Sequence, residues 1–212
     1  MWTKLAVFSF LAAQVSAHGN LTSPAARLPG PAMARACGQA AVSTVLADGT
    51  TPIENLGTVP ATCNPFLCRG AQFDDNKARV QTFAPGQVIK MTAILPIPHE
   101  GPCNVSVVET ATNRVLGQPL IVFDTYADES LAVLPANNTA FDVTFPADLP
   151  AGKCAVAGQC VLQWFWFGTG AKQTYESCVD FVVGAAGAGA GAPAAAPAGA
   201  GRLRAKARGW AW

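Results

Sequence analysis

Between residues 81 and 183 the chain repeats one device: a short run rich in β-branched or aromatic residues, then a turn. The runs fall at residues 87–95, 104–110, 120–124, 140–145, 161–167 and 175–183. Pro85-Gly86, residues 98–102, Asn113, residues 135–138 and residues 150–152 separate them with the chemistry of turns. Helical periodicity is scarce. Many short strands with regular punctuation predict an all-β fold, an immunoglobulin-like or fibronectin-like antiparallel β-sandwich. Residues 19–80 carry more loop signals and several prolines. They are expected to form long, disulfide-pinned loops over one side of the sandwich, with short helices near residues 31–41 and 74–80.

The N-terminus reads as a secretory signal over residues 1–17. Lys4 supplies the positive charge, residues 5–13 the apolar stretch, and Val15-Ser16-Ala17 the small residues for cleavage. What then remains of the 212 residues is enough for one domain with a sizeable core. The net charge of +1 gives no reason to expect a nucleic-acid partner. No apolar run after the signal is long enough to span a bilayer, so no membrane partner is expected and the product is expected to be secreted.

Seven cysteines in an extracellular chain imply disulfides with one thiol left over. Cys63 lies close to Cys68, and Cys154 to Cys160, so each pair is placed to staple a short loop. Cys37 and Cys178 then join the N-terminal region to the last strand, and Cys103 remains odd. Six cysteines admit many pairings, and spacing alone does not choose among them. Sequons stand at Asn20, Asn104 and Asn137, in agreement with secretion. Residues 18–183 are read as the folded domain and residues 184–201, almost all Gly, Ala and Pro, as a linker. Residues 202–212 form a basic tail with Trp210 and Trp212, expected to be disordered.

Cleavage after Ala17 gives His18 a free α-amine beside its imidazole. Two nitrogens on one residue can close a chelate ring on a single metal ion. The only other histidine is His99, in the loop Pro96-Ile97-Pro98-His99-Glu100-Gly101-Pro102, where prolines restrict the backbone. Three neutral nitrogens from two histidines suit a square-planar or T-shaped copper site better than calcium or magnesium. Near the C-terminal end of the domain, Gln173, Tyr175 and Ser177 share one face of an alternating strand. A phenol and a carboxamide can therefore point at the same place. No convincing carboxylate pair suggests a conventional glycosidase.

In this order the segments resemble the lytic polysaccharide monooxygenases, and among them most closely the fungal, cellulose-active auxiliary activity family sixteen. The resemblance rests on His18-Gly19 after the signal, Ser23-Pro24-Ala25-Ala26-Arg27, Gly30-Pro31-Ala32 and Ala36-Cys37-Gly38-Gln39. It continues through residues 63–70, 99–108, 160–167 and 173–181, nearly the whole folded part. It implies a secreted, copper-dependent oxidoreductase with one copper per chain, held by the α-amine and ring of His18 and by His99. Tyr175 would stand at a distant axial position, and Gln173 would hydrogen-bond an oxygen species. The implied partners are cellulose or a related β-glucan, an external electron donor, and O₂ or hydrogen peroxide, with the chain acting as a monomer. Two other readings use the same residues: a copper oxidase making peroxide for partner enzymes, and a non-catalytic copper-binding protein. The family does not prepare for Cys103, four residues after His99. The stretch Trp164-Phe165-Trp166-Phe167 is expected to be sandwich core rather than a sugar platform.

Overall fold

A computed structural model describes residues 18–150 and 152–184. The signal, the tail and all of the linker beyond Gly184 lie outside them. The chain runs through β1 (His18–Ser23), α1 (Pro31–Cys37), α2 (Gln39–Ala47), β2 (Gln81–Phe83), β3 (Val88–Ile97) and β4 (Gly101–Glu109). It continues through β5 (Arg114–Val115), β6 (Ile121–Tyr126), β7 (Ala140–Thr144), β8 (Cys160–Gly168) and β9 (Gln173–Val183). Short 3₁₀ turns fill much of residues 53–79.

The sandwich expected from the sequence is present. One sheet has the order β1-β3-β7; the other runs β2-β9-β8-β4-β5, with β6 also paired to β4. All pairings are antiparallel except β2 with β9. Alternation explains the packing. On β3, Ile89, Met91 and Ala93 are buried while Val88 and Lys90 face water. On β9, Tyr175, Val179 and Phe181 point into the inter-sheet core with Trp164, Trp166, Val105 and Phe145. Both tryptophans of β8 are fully buried, as read from the sequence.

The opposite face of β9 is also buried, beneath a layer formed by residues 24–80. Met33, Val42, Val45, Ile53 and Leu56 pack there against Val108, Val161 and Cys178 in a second core. The polar residues of that face are tied one after another to the layer. Thr174 donates its N–H and hydroxyl to the Glu54 carboxylate, both at 2.8 Å. Glu176 accepts from the Arg69 N–H at 3.4 Å, and Cys178 is bonded to Cys68. Asp180 takes the Arg27 guanidinium through two bonds of 2.7 Å, in the bidentate geometry that suits a buried ion pair.

The disulfides are Cys37–Cys63, Cys68–Cys178 and Cys154–Cys160. The last agrees with the spacing; the pairings Cys37 with Cys178 and Cys63 with Cys68 are corrected. Turns between residues 60 and 68 carry Cys63 to the end of α1 and set Cys68 on β9, with Cα separations of 4.7 and 5.1 Å from their partners. Neighbours in sequence therefore face different elements. Cys103 is a buried free thiol, and burial pushes it well above its ordinary pKa. The loop region also differs from the expectation at both ends. It begins with a strand, β1, and its helices run on to Ala47 rather than stopping near residue 41.

Candidate metal centre

Register brings the two histidines to one end of the sandwich. β1 pairs with β3 so that His18 stands opposite Ile97, two residues before His99. The β4 and β8 strands then place the His99 loop against the β8–β9 turn. Thr169 donates its N–H to the Glu100 carbonyl at 2.9 Å, and Gly168 is paired with Gln173. Gly101 makes this approach possible, because a Cβ there would fall on the Phe167 carbonyl oxygen.

Trp166 lies under all of these parts. Its indole N–H donates to the His99 carbonyl at 3.2 Å. Its ring stacks on Tyr175 with centroids 4.4 Å apart and planes inclined by 25°. Its other edge fills the space beside Gly19, where a Cβ would stand 2.8 Å from a ring carbon. Tyr175 donates its hydroxyl to the Gln173 side-chain oxygen at 2.8 Å. Burial first, then the carboxylates of Glu54 and Asp48, push the Tyr175 phenol well above its ordinary pKa, so it keeps its proton. Ser177, on the same face, bonds the Asn20 side chain and accepts from the Leu21 N–H, which fastens β1 across the core.

Each imidazole also meets a carboxylate that sequence reasoning missed. His18 Nε2 lies 2.7 Å from Asp48 Oδ2, and His99 Nδ1 lies 3.4 Å from Glu129 Oε1. Asp48 closes α2 and accepts from the Thr50 N–H at 2.8 Å and the Thr50 hydroxyl at 2.5 Å. Burial alone would raise its carboxyl, but Thr50, His18 and Arg69 together hold it below the usual range. The same turn grips β1 directly, since Gly19 donates its N–H to the Thr50 carbonyl at 3.0 Å. Buried Arg69 supports the turn from beneath with a 2.8 Å bond to the Thr51 carbonyl. Glu129 sits in the loop after β6; its own N–H and that of Glu100 hold its carboxyl low. That loop is anchored by Asn138, which accepts from the Ala127 N–H and, through its carbonyl, from the Tyr126 hydroxyl.

The donor chemistry suits an ion. His99 is buried, and its Nε2 has no hydrogen-bond partner. A buried polar nitrogen left without a partner costs about 1–3 kcal/mol, which a metal ligated there would offset. Among the described residues no group of three or more His, Cys, Asp or Glu gathers for a metal. A set of two imidazoles, one amine and a phenol would not form such a group. The sequon residues fall in different settings. Asn137 is exposed, Asn104 is half-buried and accepts from the Ser106 hydroxyl, and the Asn20 side chain faces Ser177.

No family model and no curated protein matches the chain. Among solved structures it is similar to a lytic polysaccharide monooxygenase from Jonesia denitrificans, at 18% identity and a TM-score of 0.41, over 79% of this chain and 100% of that one. It is similar to a chitin binding domain from Burkholderia pseudomallei at 16% identity and a TM-score of 0.45, with the same coverage. A third is the catalytic domain of a lytic polysaccharide monooxygenase from Listeria monocytogenes, at 13% identity, a TM-score of 0.44 and again that coverage. Identities this low leave the function to be read from the chemistry of the site.

Proposed function

We propose that the mature protein is a secreted, copper-dependent monooxygenase that cleaves polysaccharide oxidatively, with cellulose or a related β-glucan as substrate. The observation that carries this reading is the unpartnered, buried Nε2 of His99 at the end of the sandwich where β1 begins with His18. His18 would hold copper through its α-amine and ring and His99 through Nε2, with the Tyr175 hydroxyl as a further, weak oxygen donor. Bound copper supplies one-electron redox chemistry toward O₂ or peroxide. A neutral amine and neutral imidazoles serve both of its oxidation states. Binding must displace a proton from the amine, whose ordinary pKa is about 7.7–8.0.

The chain's own residues do the rest. The stack of Trp166 on Tyr175 fixes the phenol, and its raised pKa keeps it a neutral, weak oxygen donor. By accepting from Tyr175, the Gln173 oxygen turns the amide N–H₂ end away from the phenol, where it can donate without titrating. Among the described residues, aliphatic side chains rather than tyrosine or tryptophan would meet a polymer at this end of the sandwich. Both tyrosines, Trp164 and Trp166 are fully buried, whereas Ile97, opposite His18, is exposed, as are Leu46, two residues before Asp48, and Leu131 and Val133, which follow Glu129 in sequence.

The test is N-terminal sequencing and intact mass of secreted, copper-loaded protein, followed by incubation with cellulose and ascorbate. A His18 terminus, one copper and oxidised oligosaccharides support the monooxygenase. Copper and peroxide without oxidised sugars would favour the oxidase or the metal carrier. A terminus elsewhere would remove the chelate and the proposal with it.

A further inference from the structure

The carboxylates beside the two histidines contact different ring nitrogens. Asp48 stands at Nε2 of His18, and Glu129 stands at Nδ1 of His99. An imidazole that gives its N–H to a carboxylate leaves the lone pair on the other nitrogen, so the partner decides which nitrogen can ligate a metal. We propose that Asp48 and Glu129 are positioning residues that set opposite tautomers on the two imidazoles, Nε2–H on His18 and Nδ1–H on His99. Their use in catalysis rests on the copper reading above.

The assignment matches two separate needs. On His18, Nδ1 is the ring nitrogen that can close a compact chelate with the same residue's α-amine; Nε2 is too far round the ring. On His99, Nε2 is the buried nitrogen without a hydrogen-bond partner. Neither carboxylate is casually placed. Asp48 is fixed by two bonds from Thr50, within a turn that also binds the Gly19 N–H and rests on Arg69. Glu129 is fixed by the Glu100 N–H, from the residue next to His99, so the carboxylate and the ring it contacts are referenced to one stretch of backbone. The two supports come from unrelated parts of the chain, the end of α2 and the loop after β6. Each ring can therefore be released without the other.

The chain has only two histidines, so two-bond proton–nitrogen correlation spectra of the metal-free, mature protein read both tautomers directly. With both rings neutral, wild type should show Nε2–H on His18 and Nδ1–H on His99, with His99→Ala assigning the signals. The His99 result is the sharper one, because a histidine free in water prefers Nε2–H. Glu129→Ala should return His99 to that ordinary tautomer and leave His18 unchanged. Asp48→Ala should loosen His18 into a mixture of tautomers and leave His99 unchanged. Each variant should also weaken binding of Cu(II) alone by roughly 10–100-fold, the usual cost of losing a carboxylate behind a ligand histidine. Should an alanine variant fold poorly, Glu129→Gln and Asp48→Asn keep the shape and remove the charge-assisted acceptor. Nε2–H on His99 in wild type, or unchanged spectra in all four variants, would overturn the proposal. The expected tautomers in a protein that does not bind copper would uphold the assignment and sink the monooxygenase instead.

Discussion

Trp166 and Tyr175 sit opposite each other in the β8–β9 ladder, and their rings stack with centroids 4.4 Å apart. The contact joins the inter-sheet core to the candidate metal centre, because Trp166 also holds the His99 carbonyl and packs beside Gly19. A large buried ring therefore sets the spacing of three site elements at once.

Replacing Tyr175 with phenylalanine keeps that stack and removes only the hydroxyl bonded to Gln173. Under the proposed function, copper affinity measured by titration calorimetry should change less than threefold, since a neutral phenol is a weak ligand. If the protein oxidises cellulose as proposed, that activity should fall by about tenfold or more, because Gln173 loses the bond that orients it. Unchanged oxidation would remove the phenol from the mechanism.

Gly101→Ala should test the position of the His99 loop without altering any of the proposed copper ligands. Its new methyl would collide with the Phe167 backbone carbonyl, which, unlike a side chain, cannot swing aside. Overpacking of this kind costs up to about 3 kcal/mol. Chemical denaturation should show that loss, and copper affinity should fall as the His99 loop moves away from the β8–β9 turn.

The three disulfides should differ in worth. Cys68–Cys178 spans 110 residues, Cys37–Cys63 spans 26 and Cys154–Cys160 spans 6. Chain entropy gives about 5 kcal/mol for the longest and about 2 for the shortest. Paired serine substitutions followed by thermal melting should reproduce that order. An equal loss at both bridges would show that closure entropy is not the main term.

Glu176 links stability to pH. Burial raises its carboxyl from 4.5 to about 7, only partly opposed by the Arg69 N–H, Gln163 and the Arg69 charge. The folded state then holds this proton more tightly than the unfolded chain does, so its contribution is complete below about pH 4.5 and is lost as pH rises toward 7. The loss is on the order of a few kcal/mol. Glu176→Gln should flatten the fall in unfolding free energy across that window. An identical slope in the variant would assign the pH dependence to other groups.

Much of the sandwich was legible because its strands carry their own signal. Six interior runs became β3, β4, β6, β7, β8 and β9 with small shifts at their ends, and Trp164 and Trp166 are core as their sequence predicts. β1 was not legible. Gly19, Asn20 and Ser23 are poor strand formers, and the strand exists because β3 offers an edge and Leu21 a place to bury. The disulfide pairing was misread because adjacency along the chain says nothing about which face a turn presents. Asp48 and Glu129 carry no motif at all. Each is an ordinary loop carboxylate until the fold sets it 2.7 or 3.4 Å from a histidine nitrogen.

The bonds from β9 to its covering layer bear on how such a protein matures. Cys68 is followed directly by Arg69, whose side chain supports the turn that holds Asp48 and Gly19. Oxidation of Cys68 with Cys178 thus locks the platform on which His18 rests. Under the proposed function, a chain still reduced would offer copper a loosely held His18, and one still carrying its leader would offer no amine. On that reading, tight metal capture would have to follow both oxidation of the bridge and removal of the leader.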